Sequence, residues 1–132
     1  MDDSDLRDPR HRFGQTSEVM AEEFLLAKGY RILARNVRTR LGELDIVAED
    51  KGVLVFIEVK GRITEAFGGA LLAVNRHKQA KLVKLASQYL AHRHWSDRPC
   101  RFDVVLVQGP PSAGGRIEHL QNAFDASESG LL

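Results

Sequence analysis

The chain has 132 residues, 43% of them hydrophobic and 28% charged, which is typical of one globular domain with a sizeable core. Its 19 basic and 18 acidic residues give a net charge of +1, so any affinity for nucleic acid must come from local clusters of charge. The single cysteine, Cys100, excludes an internal disulfide and a multi-cysteine zinc site. The acidic start lacks an apolar segment, and no apolar run reaches the ~20 residues of a spanning helix, so we expect a cytoplasmic protein.

The first predicted element is a helix that follows a polar segment. Residues 1–13 are charge-dense, and we expect them to be disordered. Ser17 is a suitable cap for a helix that runs to about Lys28, where Gly29 would end it.

Three strands joined by two turns are predicted next. In the first, Tyr30–Val37, Arg31 and Arg35 are expected to share one face. The remaining pieces are a turn at 39–42, a strand at 43–49, a tight hairpin at 50–52 and a strand at 53–60.

The third strand carries the most informative pattern of the chain. Its continuous apolar run is typical of a strand covered on both faces, yet it ends in Glu58 and Lys60. Because side chains alternate along a strand, these two charges share a face with Phe56. Charges at such a position are usually paired, bind a metal or take part in chemistry.

The second half of the chain predicts a helix between two strands. A loop around Gly68–Gly69 is expected to be mobile. A helix at 76–92 and a strand at 101–107 follow, and the crossing helix makes this strand parallel to the third. An edge strand at 116–124 completes one domain at 14–124, and residues 125–132 are expected to form a loose tail.

Acidic residues of the second and third strands are predicted to meet. Glu43 and Asp45 share one face of the second strand, and Leu44 and Ile46 share the other. The hairpin brings Asp45 towards Glu58 and Lys60. Such a cluster suits a hard cation, Mg²⁺ or Mn²⁺, which would polarise a phosphate and activate water. The alternative is a set of ion pairs at the end of the sheet.

The order of these residues resembles a known family. Asp45 followed by Glu58-Val59-Lys60 across a hairpin resembles the PD-(D/E)XK nuclease signature. The whole order is similar to the bacterial YraN-like (UPF0102) family, itself similar to archaeal Holliday-junction resolvases. The residues that carry this likeness over 14–124 are Gly14, Glu18, Gly29-Tyr30, Arg35-Asn36, Gly42-Glu43-Leu44-Asp45, Phe56-Ile57-Glu58-Val59-Lys60, Arg62, Lys78 and Arg101-Phe102-Asp103-Val104-Val105.

The resemblance implies a fold and a role for each site residue. The fold would be α/β and restriction-endonuclease-like, with a mixed central β-sheet flanked by helices. Asp45 and Glu58 would bind Mg²⁺ or Mn²⁺, Lys60 would be the catalytic lysine, and Glu18 would add a further acid from the first helix. Glu43 would be an outer metal ligand or a turn residue paired with an arginine.

Two positions depart from the pattern of the family. Leu44 precedes Asp45 where proline stands in the signature, which is common in this superfamily. Gly61 stands where the family usually has a small hydroxyl residue, so a hydrogen bond from that hydroxyl to the site is missing.

Basic residues gather around the predicted site. Arg35, Arg40, Arg62 and Lys78 would hold phosphates on either side of a scissile bond, although a solvated surface is the usual explanation for such clusters. Lys78 is expected mainly on the wet face of its helix. Surface positions are expected for the histidines, because they show no grouping typical of metal ligands.

The sequence thus predicts a metal-dependent endonuclease acting on DNA, with no membrane association. The alternatives are a nucleic-acid-binding module without independent catalysis and a structural or partner-binding domain. Symmetric cutting of a junction would require a homodimer, for which the edge strand 116–124 is the candidate contact.

Overall fold

The computed structural model describes residues 9–62, 76–108 and 116–124 and shows a five-stranded sheet with a helix on each face. The helices are α1 (Pro9–Ala27) and α2 (Arg76–His92), and the strands are β1 (Arg31–Thr39), β2 (Gly42–Asp50), β3 (Val53–Arg62), β4 (Cys100–Gln108) and β5 (Arg116–Phe124). No helix in these ranges is long and apolar enough to span a membrane.

The strands lie side by side in the order in which they occur in the chain. β3 and β4 are parallel, and every other neighbouring pair is antiparallel. The parallel pair is separated in sequence by α2, which is the crossover that parallel strands require. The predicted α/β fold, a mixed central sheet flanked by helices, is confirmed.

Two apolar cores cover the two faces of the sheet. Leu25 of α1 packs with Ile46, Ile57 and Val105 on one face. On the other face the buried side chains of α2 pack against β2, β3 and β4; they are Leu82, Val83, Leu85, Ala86, Tyr89 and Leu90. Since both faces are covered, residues 53–57 of β3 are apolar on both faces, as the run in β3 predicted.

Helix α1 is longer than predicted. It begins at Pro9, a residue that suits the first position of a helix, so it includes residues 9–13, ahead of the start predicted at Ser17. Ser17 lies inside the helix, 5% exposed, and is not its cap. The predicted end is confirmed, because Gly29 has φ +95° and the Tyr30 N–H donates to the Leu25 carbonyl at 3.0 Å.

The hairpins and the elements after them lie close to their predicted bounds. Lys51 and Gly52 form the two-residue turn between β2 and β3, both with positive φ, as a type I′ hairpin requires. The bounds of α2 and β5 agree with the sequence analysis, and β5 lies at the edge of the sheet. The predictions for residues 1–8, Gly68–Gly69 and 125–132 concern residues outside the described ranges.

Strand β1 differs most from its prediction. Its pairing with β2 shifts between Ile32 and Ala34, which is a β-bulge. A bulge adds one residue and reverses the alternation of side chains beyond it. Arg31 and Arg35 therefore lie on opposite faces, and the prediction of a shared face is wrong.

Candidate metal centre

The site is built where β2 separates from β3. Backbone pairing between these strands ends at Ile46 and Ile57. Beyond this pair, the Val59 N–H donates to Oδ2 of Asp45 at 2.8 Å. A side chain thus replaces the backbone partner, and its hydrogen bond fixes one carboxylate oxygen while the other remains available.

This separation also changes which faces the β2 side chains occupy. Leu44 packs in the core under α2, whereas Ile46 packs in the core under α1. The expectation that β2 alternates regularly through Asp45 is therefore wrong. The irregularity places Asp45 between the two faces, where it can meet acids from both.

Three carboxylates meet beside α1. One oxygen from each of Glu18, Glu43 and Asp45 lies within 4.8 Å of the other two. Glu18 comes from α1, and the other two come from β2. All the donors are carboxylate oxygens, which hard cations such as Mg²⁺ and Mn²⁺ prefer. We call these three residues the acid cluster.

Asn36 joins the acid cluster and was given no role by the sequence analysis. Oriented with its nitrogen towards the acids, its amide donates to Glu18 at 3.1 Å and to Glu43 at 3.2 Å. Its φ is +53°, a conformation that asparagine tolerates better than most residues. An asparagine inside a predicted strand is the signal that could have identified it.

The electrostatics of the acid cluster favour a cation. Burial raises the pKa of Asp45 to about 7, and repulsion from Glu58, Glu18 and Glu43 adds to the shift. Burial and the charge of Glu43 also raise the pKa of Glu18. Arg38 donates to Glu43 at 2.8 Å. Negative charge remains in excess around Asp45, and a bound cation would relieve it.

Glu58 lies on the other side of Asp45, facing α2. Its side chain is nearly buried. Its Oε1 lies 2.9 Å from Nζ of Lys78 and 3.6 Å from Nζ of Lys60, so Glu58 forms an ion pair with each lysine. Burial and the neighbouring Lys78 lower the pKa of Lys60. For Lys78, hydrogen bonds to Lys60 and Glu58 outweigh burial and raise its pKa. The predicted contact between Glu58 and Lys60 on one strand face is present.

Two hollows flank Asp45. One is lined by Glu18, Asn36 and Asp45 on the side of α1, and the other by Glu43, Asp45 and Glu58 on the side of α2. Of the predicted metal ligands, Asp45 and Glu43 come together with Glu18, whereas Glu58 is engaged by lysines. Asp45 is the residue that connects the two halves.

The predicted phosphate-binding residues are divided between the two faces. Arg35 forms a two-point ion pair with Glu22 of α1. Lys78 is half-buried against Glu58, so its expected position on the wet face of α2 is wrong. Arg40 is exposed at the turn between β1 and β2. The side chain of Arg62 lies outside the described part of the structure.

A second polar cluster surrounds Asp103 in the first half of β4. Asp103, 1% exposed, accepts Arg101 at 3.1 Å, His119 at 2.8 Å and the Asn122 N–H at 2.9 Å. Lys28 lies 2.8 Å from Nδ1 of His119. Because an ammonium group can only donate, Nε2 of the imidazole carries the proton that reaches Asp103. We call this the Asp103 network.

The Asp103 network corrects one expectation. Arg101 and Asp103 form an ion pair within β4. The expected surface position of His119 is wrong, because its side chain is 2% exposed. A histidine in a polar edge strand gives no sequence signal of a buried acid partner on β4.

Comparison with known proteins identifies a family. The model of "Uncharacterised protein family UPF0102" matches residues 17–107. A UPF0102 protein of Symbiobacterium thermophilum is 51% identical over 115 residues, which cover 87% of this chain and 98% of the relative. A UPF0102 protein of Pseudomonas putida F1 is 46% identical over 115 residues, covering 86% and 94%. One from Desulfosudis oleivorans is 43% identical over 118 residues, covering 89% and 94%.

Proposed function

Since the chain belongs to the UPF0102 family, whose description names no activity, we propose from its site that it is a metal-dependent endonuclease that hydrolyses DNA phosphodiester bonds. The observation that carries the proposal is the acid cluster, with oxygens of Glu18, Glu43 and Asp45 within 4.8 Å of one another. Structural acids are normally neutralised, whereas the pKa of Asp45 is raised to about 7 by burial and by other acids.

The donor set fits a divalent cation. Glu18, Glu43 and Asp45 would hold Mg²⁺ or Mn²⁺, since all three offer carboxylate oxygens. When bound, the ion would polarise a phosphate oxygen and lower the pKa of a water molecule. The Val59 N–H holds Asp45 in a fixed orientation, so little reorganisation would be needed on binding.

Lys60 is the residue proposed to handle the proton. Burial and Lys78 lower the pKa of its amine, so its Nζ can accept a proton nearer to neutral pH than an exposed lysine can. Glu58 holds both lysines beside Asp45. Lys60 would orient the attacking water and take its proton, while Lys78 keeps its charge for the phosphate.

A nucleic-acid-binding module without catalysis is the second candidate. The observation in its favour is the 2.9 Å ion pair between Lys78 and Glu58, which occupies an acid that the family resemblance makes a metal ligand. In that case the acid cluster would position a nucleic acid through a bound cation without cleaving it.

Cleavage assays distinguish the two candidates. Purified protein would be incubated with supercoiled, single-stranded, flapped and four-way-junction DNA in Mg²⁺, Mn²⁺ or chelator. We expect cleavage only with metal. Asp45→Asn should reduce the rate roughly 10²-fold or more, the usual scale for the loss of one preorganised electrostatic group.

Asp97→Asn is the matched control, because Asp97 is exposed and distant in sequence from the acid cluster. It should cleave like the wild type. DNA binding without cleavage in any metal would favour the binding module. Cleavage that persists in chelator, or that Asp45→Asn leaves intact, would refute the endonuclease proposal.

A further inference from the structure

A groove of about 470 Å³ lies beside the proposed active site, between the turn that joins β1 to β2 and the C-terminal half of α2. Its walls include Val37, Leu85 and Tyr89, with Leu41, 41% exposed, at the turn. We call it the hairpin–α2 groove. Its apolar lining is open to solvent, which indicates a binding surface.

The charges on this groove are all of one sign. Arg40 and Arg93 line it, and no acidic residue of the described ranges does. Among the described residues Arg40 forms no ion pair, while the Arg93 guanidinium lies 3.8 Å from the centre of the Tyr89 ring. The chain carries no Asp or Glu from residue 66 to residue 96, so α2 adds only positive charge to this face. Beside α1, by contrast, the charge of Arg35 is neutralised by an ion pair with Glu22.

The groove continues into the proposed active site. Leu85 lines both the groove and the hollow that contains Asp45 and Glu58. Lys81 lines that hollow and packs so close to Gly42 that a Cβ there would lie 2.9 Å from its Cε. From Lys81 to its last residue, His92, the helix rises about 16.5 Å, and Arg93 follows directly. Positive charge thus follows α2 from the hollow to the far end of the groove.

We propose that the hairpin–α2 groove binds a single-stranded arm of the nucleic-acid substrate and leads it to the acid cluster. This inference rests on the proposed function and names the class of substrate: DNA with an unpaired arm, such as a flap, rather than a uniform duplex. Phosphates of the arm lie against Arg40, Arg93 and Lys81, and its bases lie on the apolar lining. In a duplex the base faces are stacked away from the protein, whereas unpaired bases can pack on apolar and aromatic side chains.

Binding measured without metal tests the inference separately from catalysis. Fluorescence anisotropy in chelator would compare a blunt DNA duplex with the same duplex carrying a single-stranded thymidine arm. The wild type should bind the armed duplex more tightly. Combining Arg40→Glu and Arg93→Glu should remove this preference and weaken binding of the armed duplex about tenfold. Loss of two phosphate contacts on a single strand should also reduce the slope of log K against log salt by about 1.4.

The control is Lys51→Glu, an exposed lysine in the turn at the other end of the sheet. It should keep the preference for the arm, and thermal melting should show that all variants are folded. Equal wild-type affinity for both duplexes, or equal losses in the control and the groove variants, would refute the inference. Binding of an acidic leucine-containing peptide in the groove, without binding of the arm, would also refute the inference. Arm-dependent binding without cleavage in any metal would support the inference while refuting the endonuclease proposal.

Discussion

Asp45 lies on β2 and Asp103 on β4, the two strands that flank β3, and their carboxyl pKa values shift in opposite directions. Asp103 is 1% exposed, and burial alone would raise its pKa, yet hydrogen bonds from His119, Arg101 and the Asn122 N–H lower it. Asp45 is less buried, and burial together with neighbouring acids raises its pKa to about 7. The difference therefore arises from the partners of each carboxylate and not from the depth of burial.

The comparison separates an acid that supports the fold from one that is available for binding. Four different groups donate to Asp103, the fourth being the Tyr30 hydroxyl at 3.4 Å, and Arg101 also reaches Asp50 at 3.2 Å. Asp45 receives one backbone N–H and faces three other carboxylates. Uncompensated repulsion destabilises the folded chain, and such sites are usually functional. The division between a supporting acid and an available acid can be tested by removing each charge, by adding a cation and by changing the pH.

Removing the charge of Asp103 should have the largest effect on stability. Asp103→Asn leaves the partly buried Arg101 against a neutral amide in place of its buried carboxylate partner, and breaking such an ion pair costs about 3 kcal/mol or more. We expect the free energy of unfolding in urea to fall by about that amount.

Two comparisons check this prediction. The exposed Asp97→Asn variant should change stability by less than about 0.5 kcal/mol. Asp45→Asn should keep or increase stability, because it removes repulsion within the acid cluster. If Asp45→Asn destabilised the chain as much as Asp103→Asn, the division between supporting and available acids would fail.

Adding a divalent cation should have the next largest effect, confined to the acid cluster. A ligand at ten times its dissociation constant stabilises the folded state by about 1.4 kcal/mol. Thermal melting with Mn²⁺ against chelator should therefore show stabilisation of the wild type and of Lys51→Glu but not of Asp45→Asn. An equal shift in all three proteins would place the ion elsewhere on the surface.

Much of the arrangement around Asp45 could be predicted from the sequence, because it depends on strand alternation and on the residues of the hairpin turn. The Lys51-Gly52 turn sets β2 beside β3, and alternation puts Glu58, Lys60 and Phe56 on one face; the structure agrees with both. The bounds predicted for α2, residues 76–92, are also those observed. These features depend on local patterns that a sequence displays directly.

The structural features that the sequence does not predict arise where strands depart from regular pairing. The bulge in β1 reversed the faces of Arg31 and Arg35, and the separation of β2 from β3 placed Leu44 and Ile46 in different cores. Burial of His119 depends on a partner sixteen residues earlier on another strand. Such features follow from tertiary contacts, which local propensity does not encode.

The pH dependence of stability should have the smallest effect per pH unit and sharpens the comparison most. The unfolded pKa of an aspartate is about 3.9, and that of folded Asp45 is about 7. Between these values the folded state binds more protons, so in chelator the contribution of Asp45 to stability should fall as pH rises from about 4 to about 7, by less than about 1.4 kcal/mol per pH unit. Asp103, with a lowered pKa, gives the opposite slope, and its contribution is lost only as pH falls below about 3.9. Urea unfolding of the wild type and of Asp45→Asn between pH 4.5 and pH 7, a range roughly bounded by these pKa values, measures the first slope. If the difference in stability between these two proteins did not change with pH, Asp45 would not be the strained acid that its surroundings indicate.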